Sequence, residues 1–376
     1  MKILCLNKIS PVGLKVLPST YEFTEDMSRA NAILVRSANM LETTLPENVL
    51  AVARAGAGVN NIPLEAYAKA GVVVFNTPGA NANAVKELTI AGMLLAARDI
   101  RGSMEWVQAN KGDELINKSM EKAKGAFAGT EILGKNLGII GCGAIGALVA
   151  QAAGALGMHV LGVEPSKEVI ERNKHLFPAD MEIVSADEMY KRADYISVHV
   201  PLMDATRGML NKEVFAKCKD GVIVVNCARD AIVNDDDMKE ALASGKVRRY
   251  VTDFPNYKTA NMDGVVAISH LGASTEEAED NCAAMAAKQI VDYVENGNII
   301  NSVNYPRIDL GKKDGMRVVV LFEGDHVEEV SKLIVGASKM ASGMKGNFGA
   351  VVAEVKSADE AALKAVPGVT RVLVIK

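Results

Sequence analysis

Cysteine, long apolar runs and surplus positive charge are all scarce in this chain, and each scarcity closes off a class of function. The five cysteines, Cys5, Cys142, Cys218, Cys227 and Cys282, lie far apart, with no CxxC pair and no Cys/His cluster at zinc-ligand spacing. That argues against a disulfide framework and against a bound metal. Cys142 and Cys227 sit in stretches read below as cofactor loops; each reads as a small buried residue, with a redox-sensitive thiol as the alternative. No apolar run approaches the roughly 18 residues of a membrane span, and the start MKILCLNKIS reads as a strand rather than a signal peptide. The expectation is a cytoplasmic protein with no membrane partner. Lys and Arg number 42 against 46 Asp and Glu, a net charge of -4 with no basic cluster, so a nucleic-acid partner is not expected either.

What is present is 49% hydrophobic residues over 376 positions, enough for two or three domains with buried cores. In the first 80 residues the runs KILCL, AILVR, VLAVARAG and VVVFNT alternate with polar or helical stretches, the pattern of a parallel α/β sheet. A helical pattern follows from about Ala84. Then LGIIG, HVLGVE, YISVHV, GVIVVNC, RRYVTDF and VVAISH supply six strands for a doubly wound sheet. Ser274 and Glu277 form a capping box that opens a helix ending at Gly297, and Asn301 to Pro306 reads as a linker. The last 60 or so residues read as a separate split-βαβ unit: RVVVLF, a helical EEVSKLIVGASKM, GAVVAEV, a helical SADEAALKAV, and TRVLVIK.

The sharpest local signal is LGIIGCGAIG, with Gly141, Gly143 and Gly146 in GxGxxG spacing after a strand and before a helix. Gly141 makes the turn, Gly143 leaves room for a pyrophosphate against the backbone, and Gly146 lets the helix pack on the strand. The first helical residues, Ala144 and Ile145, then point amides at the phosphates. Glu164 follows Gly141 by 23 positions, near the offset at which a carboxylate holds the ribose hydroxyls. A negative charge there favours NAD over NADP. Two further residues end strands at the sheet edge where such folds bind ligands. Arg229, after GVIVVNCA, could grip carboxylate and ketone oxygens together, and His270, after VVAIS, could exchange a hydroxyl proton.

Over roughly residues 30–306 the ordered blocks RAGAGVNNIP, FNTPGANANAVKEL, LGIIGCGAIG, HVPLMDATRGML, VNCARDAIVN and SHLGAST resemble the D-isomer-specific 2-hydroxyacid dehydrogenases. GVNNIP and HLGAST resemble the D-3-phosphoglycerate dehydrogenase branch. The resemblance implies a discontinuous, flavodoxin-like substrate domain (residues 1–93 and 286–306), a Rossmann NAD domain (94–285) and a small α+β ACT-like domain (312–376). It implies that Arg229 orients the substrate and that His270 is the general acid/base. Besides the glycine turn and Glu164, it places His199, Val200, Pro201, Thr206, Cys227, Ala228, Asp253, Gly272 and Ala273 against NAD, with Asp253 on the nicotinamide carboxamide. It maps Arg36, Ser37, Arg54, Gly58, Val59 and Asn83 onto the pocket for a small anionic 2-hydroxy acid. The implied reaction is NAD-dependent oxidation of 3-phospho-D-glycerate to 3-phosphohydroxypyruvate, the entry to serine, by a homodimer or higher homo-oligomer. A hydroxypyruvate or glyoxylate reductase and an NAD-binding, co-repressor-like interaction protein are the alternatives. The chain departs from the family pattern twice. No glutamate lies between Asp253 and His270 to hold the histidine, its place falling near Tyr257 or Lys258, with Asp263 as a possible substitute. The ACT-like segment lacks its usual Pro-Gly turn, FEGDHVEEV standing there instead.

Overall fold

The computed structural model describes residues 1–376, which form two compact units, Met1–Asn81 with Glu276–Lys376 and Ala82–Thr275. The first unit begins with five short strands, β1 (Lys2–Cys5), β2 (Glu22–Thr24), β3 (Ala32–Val35), β4 (Ala51–Arg54) and β5 (Val73–Phe75). They pair in parallel in the order β2-β1-β3-β4-β5, the strand order of a flavodoxin-like sheet. Central β3, AILV, is buried at every position because both sheet faces are covered. One cover is the helix Glu276–Asn296, whose Ala283, Ala286, Ile290 and Tyr293 join Ile3, Leu34, Ala53 and Phe75 in one core.

The second unit carries β6 (Asn136–Ile140), β7 (His159–Val163), β8 (Glu182–Ile183), β9 (Tyr195–Val198), β10 (Val222–Asn226), β11 (Val247–Thr252) and β12 (Val265–Ala267). They form one parallel sheet in the order β12-β11-β10-β9-β6-β7-β8. All six strands expected from the sequence are present. The seventh, β8, is two exposed residues long and had no apolar pattern to announce it. The strand order reverses between β6 and β9, and the carboxyl ends at such a switch point form the binding edge of an open α/β sheet.

The final strands, β13 (Met316–Glu323), β14 (Lys339–Lys345), β15 (Phe348–Val355) and β16 (Val369–Ile375), make an antiparallel sheet in the order β14-β15-β13-β16. With the helices Val327–Leu333 and Glu360–Ala365 this is a split-βαβ arrangement. The stretch expected to be helical through Met340 divides instead: the helix stops at Leu333 and Lys339 opens β14. That strand, KMASGMK, is a mostly exposed edge, so no period-two apolar signal marks it.

Three expectations of organisation give way here. The units divide at Asn81/Ala82 and Thr275/Glu276, not at 93/94 and 285/286. A helix packs as one element. Ala82–Ala97 buries Val85, Met93 and Ala96 with Val225 and Val251, and its Gly92 is so close that a Cβ would lie 2.8 Å from Val251 Cγ1. Residues 312–376 do not stand alone either. Val319 and Leu321 of β13 and Ala350 and Val352 of β15 share the first unit's core with Tyr293 and Tyr305, while the opposite face takes Val330 and Leu363 from the sheet's own helices. Nor is Asn301–Pro306 a solvated linker. Asn304 accepts from Val74 N–H at 2.9 Å and donates to Val72 O at 2.9 Å, and the buried Tyr305 hydroxyl donates to Ala68 O at 2.6 Å. The segment supplies hydrogen bonds along the edge strand β5, which satisfies backbone groups and blunts the edge.

One ion pair holds the last sheet in place. Arg317, fully buried, donates from Nη1 to Asn296 O at 2.6 Å and Gly311 O at 2.8 Å, and from Nη2 to Glu354 Oε2 at 2.7 Å. Arg317 beside Glu354 holds that carboxyl below the usual carboxylate range. Removing one partner of such a pair strands the other. Arg317→Ala is expected to lower Tm by roughly 5–10 °C in calorimetry, and Arg317→Lys, which lacks the planar fork, to recover only part of the loss.

Candidate nucleotide and active site

At the end of β6 the chain turns through Gly141 at φ 90°, a region that disfavours side chains, and a Cβ there would lie 2.8 Å from His199 O. A Cβ on Gly146 would lie 2.0 Å from Gly141 O, so the helix Ala144–Ala155 packs directly on the turn. Gly143 differs. It is the N-cap of that helix, no side chain caps it, and a Cβ would meet nothing within 4 Å. Open space therefore lies before the amides of Ala144, Ile145 and Gly146, which have no intrahelical acceptor. That arrangement fits a pyrophosphate. Glu164, just past β7, accepts from Cys142 N–H at 3.1 Å and Ser166 N–H at 3.0 Å, which holds its carboxylate beside the turn. Buried Asn173 donates to Cys142 O at 3.0 Å and braces the same loop; no motif in the sequence points to it.

The loop after β9 forms the neighbouring wall. His199 N–H donates to Ile140 O at 2.8 Å, joining the ends of β9 and β6. Its Nε2 meets Ser197 Oγ at 2.8 Å, and its Nδ1 is enclosed without a partner. Val200 packs toward Gly141. The Thr206 hydroxyl donates to Pro201 O at 2.6 Å and accepts from Met203 N–H at 2.8 Å, closing the loop on itself.

Arg229 and His270 are brought together by a ring that neither motif contains. The Arg229 guanidinium carbon is 5.2 Å from the centroid of Phe254, and the His270 ring is 4.3 Å from the same centroid at an interplanar angle of 43°. Two buried polar side chains fix the loops involved. Asn226, ending β10, accepts from Ala228 N–H at 3.1 Å and Arg229 N–H at 3.3 Å and donates to Arg229 O at 2.8 Å. Asp253, just past β11 and 1% exposed, accepts through Oδ2 from Gly272 N–H at 2.9 Å. A Cβ on Gly272 would lie 2.9 Å from that oxygen, so the contact needs glycine. Ala273 follows in the same turn. Burial raises the Asp253 carboxyl above the usual range, opposed by the Gly272 amide and the His270 and Arg229 charges. Sequence reasoning missed Asn226 and Phe254. The asparagine inside an otherwise valine-rich strand was the one available sign. At the expected glutamate's place Tyr257 is 88% exposed, Lys258 pairs with Asp236 at 2.7 Å, and Asp263 is exposed. Asn83, at the start of the helix Ala82–Ala97, donates to Glu87 at 2.9 Å.

In the first unit Arg36 and Arg54 lie at the carboxyl ends of adjacent strands β3 and β4, and Arg54 Nε donates to Arg36 O at 3.0 Å. Asn7, also missed from sequence, accepts the amides of Arg36, Ser37 and Ala38 at 3.0, 3.1 and 2.9 Å. Gly58 and Val59 follow β4, half-buried. Arg36 Nη2 is 2.6 Å from Glu279 Oε1, so part of its charge is already answered within its own unit.

The thiols resolve one alternative. Burial pushes Cys142 and Cys227 up to about 12, leaving a thiolate fraction at pH 8 on the order of one in ten thousand. Neither is poised as a redox-sensitive thiol. A thiol reagent at pH 8 is expected to label neither at an appreciable rate in the native protein, and all five cysteines in denaturant. Burial also pushes His199 down to about 4. Its ring stays neutral in the folded protein, while the unfolded chain takes up a proton near 6.5. Stability from this residue is therefore complete above about pH 6.5 and falls away as pH drops toward 4. Between pH 7 and 5 the loss is about 2 kcal/mol. His199→Gln should flatten that slope in urea unfolding at the two pH values.

Comparison with known proteins bears on the same edge of the sheet. Residues 90–272 match the family model described as D-isomer specific 2-hydroxyacid dehydrogenase, NAD binding domain. The D-3-phosphoglycerate dehydrogenase of Methanocaldococcus jannaschii is 32% identical over 340 residues, 86% of this chain and 62% of that protein. The chain thus spans about three-fifths of that relative's length. The hydroxypyruvate reductase of Thermotoga maritima is 36% identical over 270 residues, 69% of this chain and 83% of that protein. Among solved structures, the NAD+-bound 3-phosphoglycerate dehydrogenase of Entamoeba histolytica is similar with a TM-score of 0.62 at 26% identity, covering 81% of this chain and 98% of that one. The chain belongs to the D-isomer specific 2-hydroxyacid dehydrogenases, and the unit built on the Gly141 turn is that family's NAD-binding domain.

Proposed function

We propose that the protein oxidises 3-phospho-D-glycerate to 3-phosphohydroxypyruvate with NAD, the entry step to serine. The observation that carries this reading is the convergence of Arg229 and His270 on Phe254, beside the Asp253–Gly272 contact, in the unit that also holds the glycine turn. A hydroxy acid needs one fixed cation and one base, and this cluster supplies both. Arg229, its backbone clamped by Asn226, presents a guanidinium to the substrate carboxylate and to the oxygen that becomes the ketone. His270 Nε2 or Nδ1 takes the hydroxyl proton as the alcohol is oxidised. NAD, when bound, supplies the two-electron acceptor for the carbon-bound hydrogen. Gly141, Gly143, Ala144, Ile145, Gly146 and Glu164 hold its adenosine and pyrophosphate side. The walls at His199 to Pro201, Thr206, Cys227, Ala228, Asp253, Gly272 and Ala273 hold the rest. Arg54, with the loop of Ser37, Gly58 and Val59, is the site for the phosphate, and Asn83 a weaker contributor. The C-terminal split-βαβ sheet is read as an ACT-like element, and because its first turn lacks the usual Pro-Gly pair a structural or homo-oligomer-assembly role stands beside serine feedback.

A second reading, reduction of unphosphorylated hydroxypyruvate, is favoured by one observation: Arg36 is engaged by Glu279 and offers less charge to a phosphate than it would without that pair. Steady-state kinetics separate the possibilities. Arg229→Ala and His270→Ala are each expected to lower kcat/KM by about a thousandfold or more; near-normal turnover in both would sink the dehydrogenase reading. Arg54→Ala should raise KM for the phosphorylated acid by about tenfold or more while leaving glycerate or hydroxypyruvate little affected. Equal effects on both substrate types would favour the second reading.

A further inference from the structure

We infer that Asp253 is the positioning residue for His270, the carboxylate that holds the histidine loop and answers the charge created when the imidazole takes a proton. The inference rests on the proton-transfer role given to His270 above. Three observations support it. Asp253 Oδ2 accepts from Gly272 N–H at 2.9 Å, two residues beyond His270, and so pins the turn that carries the imidazole. The residue after Asp253 is Phe254, whose ring lies 4.3 Å from the His270 ring, so one short stretch of chain holds the turn after the histidine through the Gly272 amide and the imidazole by its face. The other candidate positions do not serve. Tyr257 stands in solvent where a glutamate was expected, and Asp263 is exposed.

The electrostatics agree with the geometry. Asp253 is 1% exposed, and its Oδ1 is buried without a partner. The groups that act on it are the Gly272 amide, the His270 and Arg229 charges and the Cys227 thiol, the last being kept neutral by burial. A buried carboxylate with one oxygen unsatisfied is costly unless a positive charge forms nearby. Protonation of His270 adds to the standing Arg229 charge at the moment the substrate hydroxyl gives up its proton. Proton transfer to His270 is thereby favoured without Asp253 touching the substrate. Contact with the nicotinamide, the role implied by family resemblance, is a separate duty of the same side chain.

Asp253→Asn removes the charge alone, because the amide oxygen can still accept from Gly272 N–H. The expected result is a fall in kcat of about tenfold or more, with KM for the hydroxy acid changed by less than about threefold and the calorimetric Kd for NAD recorded beside it as the readout of the cofactor contact. The acid limb of the kcat/KM pH profile should move to lower pH. Asp253→Glu, which keeps the charge, should return the limb toward its original place. A second readout needs no turnover. In the 1H–13C spectrum of histidine-labelled protein the His270 ring signals, identified by their loss in His270→Gln, should carry an upfield ring-current shift from Phe254. Gly272→Ala, whose methyl would lie 2.9 Å from Asp253 Oδ2, should move those signals toward random-coil positions. If the pH profile of Asp253→Asn superimposes on that of the unaltered enzyme while NAD affinity falls, Asp253 serves the cofactor alone and the inference is overturned. It is equally overturned if Gly272→Ala leaves the His270 signals where they were. The spectra are recorded without substrate, so a protein that oxidised no 2-hydroxy acid would refute the proposed reaction while still deciding whether Asp253 positions His270.

Discussion

Two polar side chains buried at the carboxyl edge of a parallel sheet set the geometry on which the site depends. A buried amide or carboxylate must find hydrogen-bond partners or destabilise the fold by a few kcal/mol. Asn226, and Asp253 through one of its two oxygens, find theirs in the backbones of the loops that leave the sheet. Loops are ordinarily the most mobile part of an α/β fold. Here the same bonds made by the buried groups also hold the backbones that carry Arg229 and follow His270. Stability and preorganisation thus come from one set of contacts, and Phe254 between the two loops adds an apolar surface that the Arg229 and His270 side chains share.

The glycine turn works by the opposite means, through what is left out. Gly141 and Gly146 are needed because backbone occupies the space a side chain would take, His199 O in one case and Gly141 O in the other. Gly143 is needed because nothing occupies it. Two close approaches bring strand, helix and the β9 loop together, and the third glycine keeps the helix amides open to an anion. Glu164 and Asn173 hold the turn from the other side through Cys142. The cysteine between them is held by both, and burial pushes its thiol up.

The first unit shows how neighbouring elements alter what a segment looks like alone. Asn301–Pro306 has the composition of a linker, yet Asn304 and Tyr305 seal the edge strand β5. Residues 312–376 have the strand and helix content of an independent domain, yet one face of their sheet completes the core beneath Tyr293 and Tyr305. Arg317 reads as an ordinary charge at the start of a strand, yet it is fully buried and ties that strand to the end of a helix and to Glu354. In each case a polar group is accommodated because a partner distant in sequence is close in space.

The sequence by itself determined the β/α alternation, the six principal strands of the nucleotide sheet, the glycine turn with its acidic follower, and the two strand-end residues Arg229 and His270. These features are local: apolar period, glycine requirement and strand termination are each written within a dozen residues. Tertiary structure alone decided that Phe254 joins Arg229 to His270, that Asn226 and Asn7 buttress backbones, and that Asp253 anchors the histidine turn. It also decided that β14 is a strand and that the long helices at Ala82 and Glu276 belong whole to one core each. Such features depend on pairings between residues far apart in the chain or on burial that only neighbouring elements create. A buried asparagine and an exposed one are the same letter until the groups around it are in place.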